Sequence, residues 1–285
     1  MSPPADWAEW LVRTRFAGMT DEERDAALRC LAATRDRVIE GAGLRPGDDV
    51  LDLGAGTGLL TFAAHERIGE GWVFAVDPSV SALDELLRLA HETNVAGIMY
   101  LVGDAEVIPL PDGAVDVCLT RSSLMYVDDL ERAATEIFRV LRPGARMSSS
   151  EPVNGKGTFL ATTVDWSPLG EDLARRVAEE WASHASTSPL MRLDEEELAA
   201  ALRAAGLTDV VVELELLEET WTVDARSVDA RLDAVGAAGE LSLRDRWSQA
   251  FEKGELEALV GHLHGLAGET LTFLRPRAWI TARRP

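Results

Sequence analysis

The stretch that decides the fold is VLDLGAGTG, which runs from Val50 to Gly58. Four mostly apolar residues lead into a turn with glycines at 54, 56 and 58, and a helical pattern begins at Leu59. A short apolar run of this kind is typical of a buried parallel strand. Glycines at its carboxyl end let the backbone approach a ligand closely, and the first amides of the next helix face that ligand. The stretch therefore predicts a site for a nucleotide-like molecule.

The spacing of the glycines argues against two common nucleotide sites. A dinucleotide fingerprint reads GxGxxG, whereas this turn reads GxGxG and has Leu59 where the third glycine would stand. A phosphate-binding P-loop needs a Gly-Lys-Ser/Thr sequence, which does not follow here. Asp52, inside the strand, is a further departure, because a fully buried strand is expected to be apolar.

Acidic residues follow the next two apolar runs. Asp77 ends the run WVFAVD and follows Gly58 by 19 residues, close to the ~20 that separates a glycine loop from a ribose-binding acid in doubly wound folds. Its carboxylate can accept hydrogen bonds from both ribose hydroxyls, and the alternative is a surface turn acid before Pro78. A third strand, Ile98 to Val102, precedes Asp104. That acid can accept from an adenine amino group, while the next backbone amide donates to the ring.

Four segments resemble the motifs of a known family and occur in that family's order. They read VLDLGAGTG, AVDPS, GDAEVIPLPDGAVDVC and RVLRPGARM. On these residues the chain resembles class I S-adenosyl-L-methionine-dependent methyltransferases, and within them the small-molecule group that includes ubiquinone/menaquinone biosynthesis and natural-product enzymes. The resemblance is close over residues 35 to 151 and looser from Asp194 onward. One departure is Ala145, where the family often has a second glycine after LRPG, in a turn outside the cofactor site.

The resemblance implies S-adenosyl-L-methionine as the cofactor and implies which residues hold each part of it. The glycine turn would line the methionine portion, with the strand acid before it orienting the turn and contacting the methionine amine. The second strand would supply the ribose contacts, the third strand the adenine contacts, and the fourth strand a residue beside the sulfonium and the acceptor. The implied cofactor-binding residues are Asp52, Gly54, Ala55, Gly56, Asp77, Pro78, Asp104, Ala105 and Arg121.

The fold predicted for the whole chain is an α/β fold with a Rossmann-like, seven-stranded methyltransferase sheet, mostly parallel with the last strand antiparallel. A fifth strand, Ala145 to Ser150, is predicted after a turn at Leu141 to Gly144, and a final pair at Val210 to Leu217 and Arg277 to Arg283. The predicted divisions are an N-terminal helical lid over 1–40, a cofactor-binding core over 41–151, a cap insertion over 152–192, continued core over 193–223, a helical cap insertion over 224–270 and the last core strand over 271–285.

The composition of the chain limits the kinds of partner that it can bind. The chain has 285 residues and a formal net charge of −21, which argues against nucleic acid and anionic membrane surfaces as partners. No apolar run approaches ~18 residues and the start lacks the basic and apolar pattern of a signal peptide, so a cytoplasmic location is expected. A small-molecule acceptor is the expected partner, and a homo-oligomer is left open.

The residues of the chemical step are harder to identify, because methyl transfer from an activated sulfonium depends largely on positioning. His184 stands where a lid base or an exposed helix histidine would stand. Tyr126 can hydrogen-bond an acceptor or form pocket wall, and Glu151 can line the acceptor pocket or cap the turn after it. His262 and His264 are two apart and cannot share a helix face, so no metal site is expected.

Tryptophans are frequent in the predicted lid and cap, where they either line a pocket or fill a core. They are Trp7, Trp10, Trp166, Trp181 and Trp247. The leading hypothesis is a methyltransferase of class EC 2.1.1.- that acts on a small, hydrophobic or aromatic organic acceptor in secondary metabolism. The alternative is a protein of this fold that binds S-adenosyl-L-methionine but catalyses a non-methylating reaction such as cyclisation or decarboxylation.

Overall fold

Seven strands form one sheet in the computed structural model, which describes residues 6–285. The strands are β1 (Val50–Leu53), β2 (Val73–Asp77), β3 (Ile98–Val102), β4 (Val115–Arg121), β5 (Leu141–Pro152), β6 (Thr208–Thr222) and β7 (Thr270–Arg283). Their order across the sheet is β3-β2-β1-β4-β5-β7-β6, and β7 alone runs antiparallel to its neighbours. The predicted fold class is confirmed.

Eleven α-helices accompany the strands within residues 6–285. They are α1 (Trp7–Val12), α2 (Asp21–Ala42), α3 (Leu59–Ile68), α4 (Val80–Glu92), α5 (Leu130–Val140), α6 (Leu160–Thr163), α7 (Glu171–Thr187), α8 (Glu195–Ala204), α9 (Ala225–Asp233), α10 (Leu243–Ala250) and α11 (Lys253–Gly265). Residues 1–5, the start of the predicted lid, lie outside the described residues.

The sheet separates two apolar cores. Helices α2, α3 and α4 pack on one face, where Val38, Leu60 and Leu86 are buried. Helices α5 and α8 pack on the other face, where Ile137 and Leu198 are buried. Every residue of β1 is buried, as expected for a central parallel strand covered on both sides. The carboxyl ends of β1, β2 and β4 therefore meet at one edge, where a ligand can reach the connecting loops.

The start of β5 differs from the prediction. The strand begins at Leu141, which pairs with Val115, and the register then jumps so that Arg146 pairs with Val117. The predicted turn at 141–144 is thus a bulge within the strand. The Arg142 side chain fixes it, because its Nη1 and Nη2 atoms bond Asp116 at 2.5 Å and Asp49 at 2.9 Å.

The β6–β7 pair is longer than predicted and projects beyond the sheet as a two-stranded ribbon. Pairing continues from Thr208 and Arg283 to Thr222 and Thr270. The predicted strand ended at Leu217, whereas the observed strand continues through Glu219, which accepts from Arg231 at 3.1 Å and from Arg275 at 2.9 Å. Because the charge is paired, the strand can continue through it.

Helices from the segments 152–192 and 224–270 share one apolar cluster on this ribbon. Its fully buried members are Val177, Val228, Leu232, Trp247, Leu259 and Leu263. Two ion pairs also join the segments, Arg176 with Glu255 and, at 3.3 Å, Arg246 with Glu180. The two segments therefore pack as a single unit, which we call the cap.

Replacing Trp247 by Ala tests the cap as a cooperative unit. The side chain is completely buried against Trp166 and Phe251, so its removal should lower the free energy of unfolding by about 3–5 kcal/mol. Trp72→Ala is the control, because Trp72 is 50% exposed and should cost less than about 1 kcal/mol. Urea titration gives both values, and equal losses would contradict the assignment of Trp247 to a packed core.

Candidate active site

The glycine turn between β1 and α3 has the backbone shape that only glycine adopts readily. Gly54, Gly56 and Gly58 have φ angles of 78°, 53° and 95°. Amides of the turn bond back to β2, with the Gly54 amide 2.8 Å from the Val76 carbonyl. A Cβ on Gly54 would stand 1.9 Å from the Ser123 Oγ atom. The turn is thus held between β2 and the loop after β4, with no room for a side chain at Gly54.

Asp77 ends β2 and links two loops. One carboxylate oxygen accepts the Gly56 amide at 2.8 Å and the other accepts the Ser79 amide at 2.8 Å. Burial raises the pKa of Asp77, and the two amides oppose that shift. Asp77 is therefore no surface turn acid, since its side chain is 8% exposed. The adjacent Pro78 precedes helix α4.

Asp52 lies beneath the glycine turn, not on its open side. It is 1% exposed, and its Oδ2 atom accepts the Thr61 hydroxyl of α3 at 2.5 Å. Burial raises the pKa of Asp52 to about 7, and the nearby Asp77 charge adds to the shift. The structure supports the expected role of orienting the turn through Thr61. Contact with a methionine amine stays a prediction.

Asp104 and Ala105 form a tight turn after β3. The Asp104 carboxylate accepts the amides of Glu106 and Val107, both at 2.9 Å, and its side chain remains exposed. Ala105 is buried in the core on the α5 side. The turn lies at the same sheet edge as Asp77, so both sequence-predicted ends of the nucleoside site face one side of the fold.

Helix α1 covers the glycine turn. Leu11 lies 3.2 Å from the position that a Cβ on Gly56 would take, and Asp6 accepts the Ser81 hydroxyl of α4 at 3.1 Å. Trp7 packs edge-on against Tyr126, with ring centroids 5.3 Å apart. This short helix therefore lies over the glycine turn and reaches the loop after β4.

The loop after β4 brings together Arg121, Tyr126 and Glu151. The Arg121 Nε atom is buried with no hydrogen-bond partner, and burial together with Arg15 and Arg277 lowers the Arg121 pKa to about 10. Burial and the Glu151 carboxylate raise the pKa of Tyr126. The sequence-predicted Arg121 and Tyr126 thus lie close together in a partly buried, charged region at the end of β4.

Glu151 is completely buried and does not cap the turn that follows it. Its Oε1 atom accepts the Ser123 amide at 3.4 Å and hydroxyls of Thr120 and Ser149 at 3.3 Å, whereas Oε2 has no partner. Burial raises the pKa of Glu151 to about 7 against these hydrogen bonds. Glu151 therefore fixes the loop after β4 with one oxygen, and its other oxygen is buried without a partner.

His184 belongs to the cap. It is half-buried on α7, with its ring centroid 5.7 Å from that of Trp181. Burial and then Arg246 lower the His184 pKa to about 4, so the imidazole is neutral at neutral pH. Among residues 6–285 the structure places no three potential metal ligands together, and His262 instead bonds the Asp165 carbonyl at 2.7 Å.

Four residues of this region were not predicted as site residues. Thr61 and Ser123 support the glycine turn, and Arg15 and Arg277 lie beside Arg121. A hydroxyl residue near the start of the apolar helix α3 was a usable signal for Thr61. Arg277 gave none, because its position depends on the antiparallel pairing of β7 with β5.

Comparison with known proteins agrees with this geometry. A family model described as a methyltransferase domain matches residues 51–148. The ubiquinone/menaquinone biosynthesis C-methyltransferase UbiE of Hydrogenovibrio crunogenus is 31% identical over 174 residues, which cover 59% of this chain and 68% of that protein. The malonyl-(acyl-carrier protein) O-methyltransferase of Yersinia pestis is 37% identical over 142 residues, half of each chain.

A solved structure shows the same fold. The YcgJ protein of Bacillus subtilis superposes with a TM-score of 0.59 at 17% sequence identity, over 88% of this chain and 98% of that one. Sheet order, glycine turn and sequence similarity define an S-adenosyl-L-methionine-binding α/β enzyme. The chain belongs to the class I S-adenosyl-L-methionine-dependent methyltransferases, and S-adenosyl-L-methionine is its cofactor. Among the described residues no helix is long and apolar enough to cross a membrane.

Replacing Gly54 by Ala should damage the cofactor turn. The added methyl group meets Ser123 at 1.9 Å in a backbone with positive φ, so binding of S-adenosylhomocysteine should weaken by more than about tenfold. Gly43→Ala is the matched control, because Gly43 has a φ of 57° and nothing within 4 Å. Calorimetry that finds unchanged affinity in the Gly54 variant would contradict this account of the turn.

Replacing Asp52 by Asn should change how stability depends on pH. The folded-state pKa of about 7 exceeds the ordinary value of 3.8, so Asp52 contributes stability at low pH that is lost as pH rises through about 7. The free energy of unfolding of Asp52→Asn relative to wild type should therefore rise by about 2 kcal/mol between about pH 5 and pH 8. Exposed Asp84→Asn should show no such rise in guanidinium titrations, and a flat Asp52→Asn difference would refute the buried acid.

Proposed function

We propose that this methyltransferase uses the carboxyl edge of its sheet to transfer a methyl group to a small, hydrophobic or aromatic organic acceptor in secondary metabolism. The observation that carries the proposal is the Asp77 carboxylate, which is buried between the amides of Gly56 and Ser79 at 2.8 Å each. An acid held in this way stands at the end of the second strand, where doubly wound folds bind a ribose.

The residues around Asp77 fit the whole cofactor. Gly54 and Gly56 have positive φ angles and no side chains, so the backbone of the turn can approach the methionine portion closely. Asp104 with Ala105 stands one strand further, where an adenine would lie. Bound S-adenosyl-L-methionine supplies an electrophilic methyl group on a sulfonium. We propose that Pro78 and Arg121 complete the contacts that hold it, and that Asp52 contributes from beneath the turn through Thr61.

Aromatic rings support an apolar acceptor. Trp7 and Tyr126 pack edge-to-face at the end of β4, and Phe159 packs against Trp181 of the cap at 4.5 Å. Rings of this kind form the walls of small-molecule pockets and exclude water from the reacting atoms. We propose that residues 1–40 act as a lid and that 152–192 and 224–270 act as the cap, so that these segments select the acceptor.

The three side chains that could transfer a proton, Tyr126, His184 and Glu151, differ in their pKa values. Tyr126 stays protonated at neutral pH because burial raises its pKa, so it can donate to an acceptor but not take its proton. His184 stays neutral at neutral pH. The carboxyl group of Glu151 has a pKa of about 7, and its Oε2 atom is buried without a hydrogen-bond partner. A general base works best with a pKa near the operating pH, which favours Glu151 over His184.

Asp77→Asn tests the cofactor site. The variant keeps the side-chain shape but loses one acceptor, so binding of S-adenosylhomocysteine should weaken about tenfold or more, which is ~1.4 kcal/mol or more. The same substitution should weaken binding of 2′-deoxy-S-adenosylhomocysteine by a smaller factor, because this analogue lacks one of the hydroxyls assigned to Asp77. Titration calorimetry gives both values.

Asp84→Asn on the exposed side of α4 is the control and should bind like wild type. Equal affinity of the Asp77 variant and wild type for S-adenosylhomocysteine would overturn the assignment of Asp77 to the ribose. Incubation with a methyl-labelled cofactor and an acceptor panel separates methyl transfer from cyclisation or decarboxylation, because only the first moves the label to the acceptor.

A further inference from the structure

Three partly buried arginines beside the site lack the ion-pair or carbonyl partners that other partly buried arginines have elsewhere in the described residues. They are Arg15, Arg121 and Arg277, and none has a carboxylate oxygen within 4.0 Å among residues 6–285. Other arginines that are not exposed in this part of the chain form ion pairs, as Arg146 does with Asp48, or bond backbone carbonyls, as Arg284 does. Buried charges are normally paired.

The sheet register places two of these arginines on one face. Arg121 of β4 pairs with Ser150, and Ser150 pairs with Trp279 of β7. Arg277 is two residues from Trp279 and so projects to the same side. Its Nη1 atom bonds Thr34 of α2 at 2.7 Å, which shows that this side is the face covered by α2.

Arg15 reaches the same region from the segment between α1 and α2. Its guanidinium lies over the rings of Trp10 and Phe16, at 5.5 and 5.6 Å from their centroids. Its charge is close enough to Arg121 to lower the pKa of that side chain, as Arg277 also does. Trp10, which Arg15 covers, packs against Trp7, and Trp7 contacts Tyr126 after β4. Arg15 and Arg277 therefore approach Arg121 from the N-terminal segment and from β7.

The acids near these arginines are few, and two of them are held by other groups. Glu215, opposite Arg277 on β6, accepts from Trp279 at 2.8 Å and pairs with Arg37 at 3.5 Å, and Glu240, which acts on Tyr126, accepts from Ser188 at 3.4 Å. Glu151 is the acid that attracts Arg121, and burial raises its pKa to about 7, so it supplies at most one negative charge. The cofactor carries an ammonium, a sulfonium and one carboxylate, and its binding adds one more positive charge. A desolvated site with this excess of positive charge favours an anionic second ligand.

We propose, on the basis of the function proposed above, that the methyl acceptor carries a carboxylate or phosphate group, which the guanidiniums of Arg15, Arg121 and Arg277 bind. Planar guanidiniums form paired hydrogen bonds with both kinds of anion. The aromatic rings of Trp7 and Tyr126 then pack against the apolar body of the same acceptor. The acceptor class is an apolar or aromatic molecule with an anionic group at one end.

The test compares benzoate, phenyl phosphate and neutral benzamide by calorimetry, with and without saturating S-adenosylhomocysteine. At least one anion should bind the wild-type protein about tenfold or more tightly than benzamide. The two anions distinguish a carboxylate site from a phosphate site. Raising NaCl from about 50 to about 500 mM should weaken the anion and leave benzamide unchanged. This comparison needs no variant.

Arg277→Gln adds a direct test of the cluster. Glutamine can still bond Thr34, so the fold should be kept, while the preference for the anion over benzamide should fall to about threefold or less. Affinity for S-adenosylhomocysteine should stay within about twofold of wild type. The control is Arg283→Gln on the same strand, where the side chain is 62% exposed and the anion preference should be kept.

Three outcomes overturn the proposal. The first is benzamide binding as tightly as both anions, or binding of none of the three probes. The second is an anion preference that survives Arg277→Gln. The third is a loss of S-adenosylhomocysteine affinity of more than about tenfold in that variant, which would assign the cluster to the cofactor's own carboxylate. Failure of the wild-type protein to bind S-adenosylhomocysteine would instead refute the proposed function. Because the anions are also titrated without S-adenosylhomocysteine, that failure can be distinguished from failure of the anion site.

Discussion

The two hydrogen bonds accepted by Asp77 connect the parts of the fold on which the site depends. One oxygen holds the Gly56 amide of the turn after β1, and the other holds the Ser79 amide at the start of α4. Burial of this carboxylate opposes its ionisation, and the amides compensate. Because parallel strands end at one edge, a single side chain can fix two loops at that edge.

A second buried acid supports the turn from below. Asp52 and Thr61 join β1 to the helix after it within a core that is otherwise apolar. An acid with a pKa near 7 in this position lowers the free energy of unfolding at neutral pH. A leucine or valine would fill the same position without that loss of stability. The presence of Asp52 is best explained by its effect on the position of the glycine turn. The requirements of the site therefore determine one residue of the core.

Local signals in the sequence predicted the parallel half of the fold well. Strand β3 has the predicted bounds Ile98–Val102, because its apolar run is bounded by turn residues on both sides. The bulge in β5 was missed, because Pro143 and Gly144 read as a turn, and only the Arg142 bonds to Asp116 and Asp49 show why the strand continues through them.

Long-range pairing explains what the sequence could not predict. The extension of β6 past Leu217 depends on Arg231 and Arg275 meeting Glu219, and these residues are 12 and 56 positions away. The place of Arg277 beside Arg121 likewise depends on the register of β7 against β5. Patterns with a period of two or 3.6 residues report which face is apolar, and they contain no information on which distant strand pairs there.

The distribution of charge gives the site its chemical character. The chain has a net charge of −21, so its overall field repels anions. Within residues 6–285, however, the guanidiniums of Arg15, Arg121 and Arg277 have no carboxylate oxygen within 4.0 Å. A field of that sign would not gather anions from a distance, and any anion selectivity must arise from close contacts in the desolvated pocket. Those contacts come from the segment before α2, from β4 and from β7, which are far apart in the sequence. The proposed acceptor site would therefore depend on the complete sheet with its N-terminal segment, whereas most residues assigned to the cofactor lie in the first two β–α units.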